Sequence, residues 1–154
     1  MRSLVTSIFL YDCESWTLTA KRQRRIHARE IKCFLKILRI LYKDHVSNEE
    51  VRAKIQEAIG PNEDLLTIIK RRKLQWYGHV SRSSGLAKPI LQGTVKGERR
   101  QGRQKKRLED YISEWTGLEF VKFRRAMTNR KKKWRKLVAK SSVVPLRHSR
   151  LWDR

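Results

Sequence analysis

Thirty-eight lysines and arginines against fifteen aspartates and glutamates give this chain a net charge of +23 over 154 residues. No packing requirement produces such an imbalance, because like charges repel and cost the compact state stability. A polyanionic partner offsets that repulsion and releases counterions as it binds. The excess is uneven. Residues 1–60 hold 12 basic and 7 acidic residues, and residues 61–154 hold 26 and 8. A nearly balanced start followed by a strongly basic end places most of the expected contact in the second half. At 39% apolar residues, a core is possible but not thick everywhere, and the length fits one ordinary domain or two small helical ones.

Two cysteines, Cys13 and Cys33, make no disulfide framework and suit a reducing compartment. No apolar run approaches the ~20 residues of a membrane span, so no membrane partner is expected. Leu4 to Leu10 superficially resembles a secretion signal. However, no small-residue cleavage site follows, and Asp12 and Glu14 come at once.

Hydrophobic periodicity predicts a mainly α chain of several amphipathic helices, joined by a basic Gly/Arg-rich arm, with at most one short β element. Residues 1–11 fit a strand or a helix end. Thr19 caps a long helix over 20–43, whose apolar face holds Ile26, Phe34, Ile37, Leu38 and Leu41. On another face Arg25, Arg29, Lys32, Lys36, Arg39 and Lys43 fall within an arc of about 80°. That stripe contains no acid, whereas a merely solvated face usually mixes both signs. Phosphate contact and simple solvation are evenly balanced there. Ser47-Asn48-Glu49-Glu50 is a capping box before Val51, Ile55 and Ile59, and Gly60-Pro61 stops that helix. A third helix covers 63–82, with Leu65, Ile69, Trp76 and Val80 in one stripe. Gly78 inside it costs about 1 kcal/mol against alanine, which points to a close packing contact. Residues 83–104 are expected as a linker or extended arm, with a possible strand at 90–95. Helices resume over 105–116, break at Gly117, and a last helical region covers 118–140, which if continuous puts Phe120, Phe123, Met127, Trp134 and Val138 on one side.

Two segments concentrate the charge. Lys96 to Arg107 has seven basic residues, one acid and two glycines, and cannot build a core. It can lie along a phosphate backbone through Arg99, Arg100, Arg103, Lys105, Lys106 and Arg107, since guanidinium groups bind phosphate bidentately. A solvated loop or a nuclear localisation signal has the same composition, and the run motivates a nuclear location, with the cytoplasm as a second compartment. The second segment includes Arg124, Arg125, Lys131, Lys132 and Lys133 around Trp134. Trp134 itself reads as core, with the lysines as the outer surface of its helix.

Chemistry is poorly represented. Cys13, His27, Cys33 and His45 lack the short spacings of zinc modules, and a lone His79 has no ligand partner in sequence. Neither a phosphate loop nor a nucleophile elbow occurs. Glu109, Asp110 and Glu114 read as ordinary helix charge pairing. The expectation is therefore no enzyme, no cofactor, no metal and no small-molecule substrate.

Several blocks occur in order: Leu10-Tyr11-Asp12-Cys13-Glu14-Ser15-Trp16-Thr17-Leu18, Ile31 to Ile40, Arg71 to Val80 with its Trp76-Tyr77-Gly78-His79, the Gly/Arg run before Leu108-Glu109-Asp110, and Ala126 with Trp134-Arg135-Lys136-Leu137. This ordered set resembles the C-terminal region of LINE-type (non-LTR) retrotransposon reverse transcriptases. The resemblance implies a post-polymerase segment: a thumb-edge remnant at 1–18, a helical subdomain at 19–82, a basic arm at 83–104, a helical subdomain at 105–140 and a basic tail at 141–154. It implies RNA or DNA held by phosphate contacts. The catalytic Asp-Asp turn of that family and its endonuclease domain are absent from this sequence. The chain departs from the pattern at Asp12, where the family has glycine, and at Leu108, where it has an aromatic. Asp12 is therefore expected to occupy a turn with positive φ. Alternative readings are a translated retroelement remnant without selected function and a basic module for an acidic protein partner.

Overall fold

The computed structural model describes residues 2–92, 108–129 and 131–141. Among these the chain is all α: α1 (Arg2–Phe9), α2 (Ala20–Leu38), a 3-10 turn (Tyr42–Asp44), α3 (Asn48–Ile59), α4 (Leu65–Arg82), α5 (Ala87–Gln92), α6 (Leu108–Thr116), α7 (Phe120–Asn129) and α8 (Lys131–Ser141). The chain divides into two compact units, Met1–Ile69 and Lys70–Arg154, with the division falling inside α4. No helix among the described residues is long and apolar enough to cross a membrane.

In the first unit α1 ends in a tight turn at Asp12, whose φ is +51°. This is the left-handed conformation expected where the related pattern carries glycine. The Ser15 hydroxyl stabilises it by donating to the Asp12 carboxylate (2.7 Å) and carbonyl (2.9 Å), the kind of local bond that lets aspartate tolerate this region. Thr19 caps α2 as its sequence predicts, its hydroxyl accepting from the Arg22 N–H at 3.3 Å.

α2 stops earlier than its periodicity suggests. Arg39 takes φ +56°, and the Ile40 N–H reaches back to the Leu35 carbonyl at 3.0 Å. That is a six-residue closure typical of helix ends. The Asp44 carboxylate then accepts from the Leu41 N–H at 2.8 Å, which fixes the turn that follows. The expected apolar face is correspondingly thinner. Ile26 is buried, but Ile37 and Leu41 are exposed.

Ser47 caps α3 by accepting from the Glu50 N–H (3.3 Å), and Gly60 ends it at φ +89°. α2 packs on α3. The buried hydrophobic residues described in this unit are Leu10, Cys13, Leu18, Ile26, Ile31, Val51, Ile55, Leu66 and Ile69.

The second unit closes around Leu74, Tyr77, Ile112, Met127, Trp134 and Val138, with Leu91, Leu108, Trp115, Leu118 and Leu137 against them. The buried side of α4 is turned relative to the expected stripe: Leu66, Ile69, Lys73, Leu74, Tyr77 and Val80 are buried, while Trp76 is 37% exposed. The cause is Gly78. A β-carbon there would lie 2.7 Å from Trp134 Cδ1 and 2.9 Å from Cε2. The indole of α8 thus occupies the space a side chain would need, and the contact face shifts toward Leu74, Tyr77 and Gly78.

Two further expectations change. Ile90–Gln92 lie in α5 rather than in a strand, and 93–95 fall outside the described residues. The helical region expected over 118–140 is not continuous: it is two helices, α7 and α8, which pack on each other and on α6. That fold-back lets Met127 and Trp134 enter one core instead of lining one long rod. Gly117 breaks the chain before α7 at φ +65°, as expected.

Candidate nucleic-acid interface

α2 is 19 residues long, about 28 Å at 1.5 Å per residue. At 100° per residue Arg25, Arg29, Lys32 and Lys36 lie within about 60° of one another, and all four are exposed. Because the helix ends at Leu38, Arg39 and Lys43 leave this stripe. Arg25, Lys32 and Lys36 have no carboxylate partner among the described residues. Four cations on one helix face, unneutralised by any neighbouring acid, are a costly arrangement in an isolated helix and a ready counterpart for a line of phosphates. Arg29 places its guanidinium over an aromatic ring. Its guanidinium carbon lies 5.8 Å from the centre of the Phe9 ring, and Phe9 meets Trp16 edge-on at 5.5 Å. Upstream, Arg22 donates to the Thr17 carbonyl at 3.0 Å and to the Thr17 hydroxyl, so it serves the helix start.

The single carboxylate on α2, Glu30, faces the other way. It is 7% exposed. One oxygen accepts from the Leu65 N–H at 2.9 Å, at the start of α4, where the helix dipole and a free N–H favour an acceptor. The other accepts from Arg52 Nη2 of α3 at 3.0 Å. The same nitrogen lies 3.4 Å from the Asp64 carboxylate and 3.4 Å from His27 Nδ1, and His27 stands 3.6 Å from Asp64. Burial, followed by the neighbouring Asp64 carboxyl, pushes Glu30 up to about 7, against the opposing pull of the Leu65 N–H and Arg52.

His27, Glu30 and Asp64 bring three potential metal donors within 4.8 Å of one another. Their common centre is taken by Arg52 Nη2, which contacts all three. A guanidinium already supplies the positive charge that a divalent ion would bring, and it disfavours a second cation beside it. The group is thus built as an ion-pair network tying α2, α3 and the start of α4 together. Sequence spacing expresses only one part of it, His27 and Glu30 one turn apart next to Ile26 and Ile31. Arg52 and Asp64 are joined to them by packing alone. Cys13 and Cys33, weighed in sequence as metal ligands, take no part in this group, and neither is in a disulfide.

In the second unit Tyr77 donates its buried hydroxyl to Glu109 Oε1 at 2.8 Å. Burial, then the Glu109 carboxylate, raises the tyrosine further above its ordinary range. Glu109 stands in the first turn of α6, where a negative charge complements the helix dipole. Lys73 is 2% exposed. Lys133 is exposed on α8 and Trp134 is buried beside it. The side chains of Lys131 and Lys132, and all of Arg99, Arg100, Arg103, Lys105, Lys106 and Arg107, lie outside the described residues. No protein-family model, curated protein or solved structure matches this chain.

Proposed function

We propose that this chain is a non-catalytic RNA- or DNA-binding segment that holds its partner by phosphate contacts, as its resemblance to the C-terminal region of LINE-type reverse transcriptases implies. One observation carries the reading: the exposed stripe Arg25, Arg29, Lys32 and Lys36 on a helix whose only carboxylate is turned inward. Such a stripe meets a phosphate backbone and reads little of its base sequence. The basic arm at 96–107 and Lys131, Lys132 and Lys133 extend the same interaction, and the arm directs the chain to the nucleus.

Fluorescence anisotropy against duplex DNA, single-stranded RNA and heparin tests the reading. Nucleic acid binds better than heparin at matched salt, and neutralising Arg99, Arg100, Arg103, Lys105, Lys106 and Arg107 weakens both nucleic acids alike. Equal affinity for every polyanion, untouched by those substitutions, contradicts it. A preference for an acidic polypeptide favours a protein partner instead.

A further inference from the structure

We infer that a polyanion bound on the outer face of α2 draws a proton onto the Glu30 carboxyl on the inner face of the same helix, so that pH sets the affinity of that face. This rests on the reading of the α2 stripe as the binding surface and concerns its regulation.

Glu30 is the only acidic residue of α2; every other charged side chain on the helix is Lys or Arg, apart from His27. It lies about 140° around the helix from Arg25, buried, at a separation on the order of 10 Å from anything bound outside. The groups facing it are known from each element packed against it: His27 from α2 itself, Arg52 from α3, and the Asp64 carboxylate and Leu65 N–H from the start of α4. One guanidinium shared between two carboxylates leaves the pair short of positive charge. Burial and Asp64 therefore already hold the Glu30 carboxyl at about 7, where a modest added field moves a proton.

A line of phosphates supplies that field. It disfavours the ionised form, so the bound state holds its proton to higher pH than the free state. By linkage, affinity is highest below the free-state value, falls as pH rises through about 7 toward the bound-state value, and then levels. With an effective dielectric of about 20 and screening by salt, the change is about three-fold or more.

The experiment titrates the full chain and Glu30→Gln with an oligothymidylate of about 20 nucleotides, from about pH 5.5 to about pH 8.5. Glutamine copies the neutral carboxyl and keeps an oxygen for the Leu65 N–H. The variant is expected to bind about as tightly as the wild type at the acid end and about three-fold more tightly at the alkaline end. The ratio of the two affinities cancels proton uptake that both proteins share. A ratio that stays constant with pH, alongside firm binding by both proteins, overturns the linkage and leaves the binding reading standing. Absence of binding at every pH overturns both. If Glu30→Gln fails to fold, calorimetry of the wild type and Asp64→Asn in two buffers of different ionisation enthalpy replaces it. Proton uptake on binding at about pH 7 is expected in the wild type and should shrink when Asp64 loses its charge. Equal uptake by the two proteins overturns the inference.

Discussion

At Gly78 the residue type is dictated by another side chain. The Trp134 ring lies where a β-carbon would stand, and both residues are buried in the second unit's core. Gly78→Ala forces the indole or the helix to move, and is expected to destabilise the chain by about 1–3 kcal/mol despite alanine's better helix propensity. Urea denaturation measures this; a neutral or stabilising result would mean that the contact is loose. Glu30 makes a second residue-level claim. Its carboxyl sits at about 7 in the folded chain against 4.5 in its absence. Below the lower value both states hold the proton and the group contributes nothing. Between the two only the folded state holds it, so stability falls as pH rises through this window, and above it the loss is constant. The fall amounts to at most about 3 kcal/mol. Denaturation midpoints followed across pH should show a downward contribution between about pH 4.5 and 7 that Glu30→Gln removes; an identical slope in the variant would contradict the assignment.

At the scale of elements, local chemistry was legible and packing was not. Thr19, Ser47, Gly60, Gly117 and Asp12 all sit at the helix ends or turns that their side chains favour, because capping is decided within four residues. Thr19→Ala and Ser47→Ala should each cost about 1 kcal/mol by thermal melting; no loss in either would mean that their helices are fixed by packing alone. What periodicity does not express is where a helix is cut short or which partner covers its face. Periodicity carried α2 on to residue 43, but the closure at Arg39 and the Asp44 turn stop it at Leu38. Periodicity does not separate α7 from α8, because Phe120, Met127, Trp134 and Val138 recur at helical spacing whether the chain continues or folds back. The face of α4 was displaced toward Trp76 since nothing local reveals that Trp134 takes the space over Gly78. The ion-pair group at Glu30 was missed for the same reason: Arg52 and Asp64 are 22 and 34 positions away in the chain.

Over the whole molecule, the charge that opened the account stays only partly answered by internal pairs. Arg52 bridges two acids and Lys122 pairs with Glu119 at 3.0 Å on an exposed surface, where such a pair contributes little. Each described unit buries its apolar residues in a small core, so self-repulsion is a real cost to the free chain. Added salt should therefore raise its melting temperature while weakening its hold on nucleic acid, two opposite responses from one cause. A melting temperature that falls with salt would show that attractive ion pairs outweigh the repulsion.

The most direct test of the α2 face is the salt slope of oligonucleotide binding in the wild type and in a variant with Arg25, Arg29, Lys32 and Lys36 changed to glutamine. These side chains are exposed, so the fold should survive, as circular dichroism will show. If all four contact phosphates, the slope of log affinity against log salt becomes shallower by about 3, at roughly 0.7–0.9 per contact. An unchanged slope and affinity would contradict the account and remove α2 from the interface.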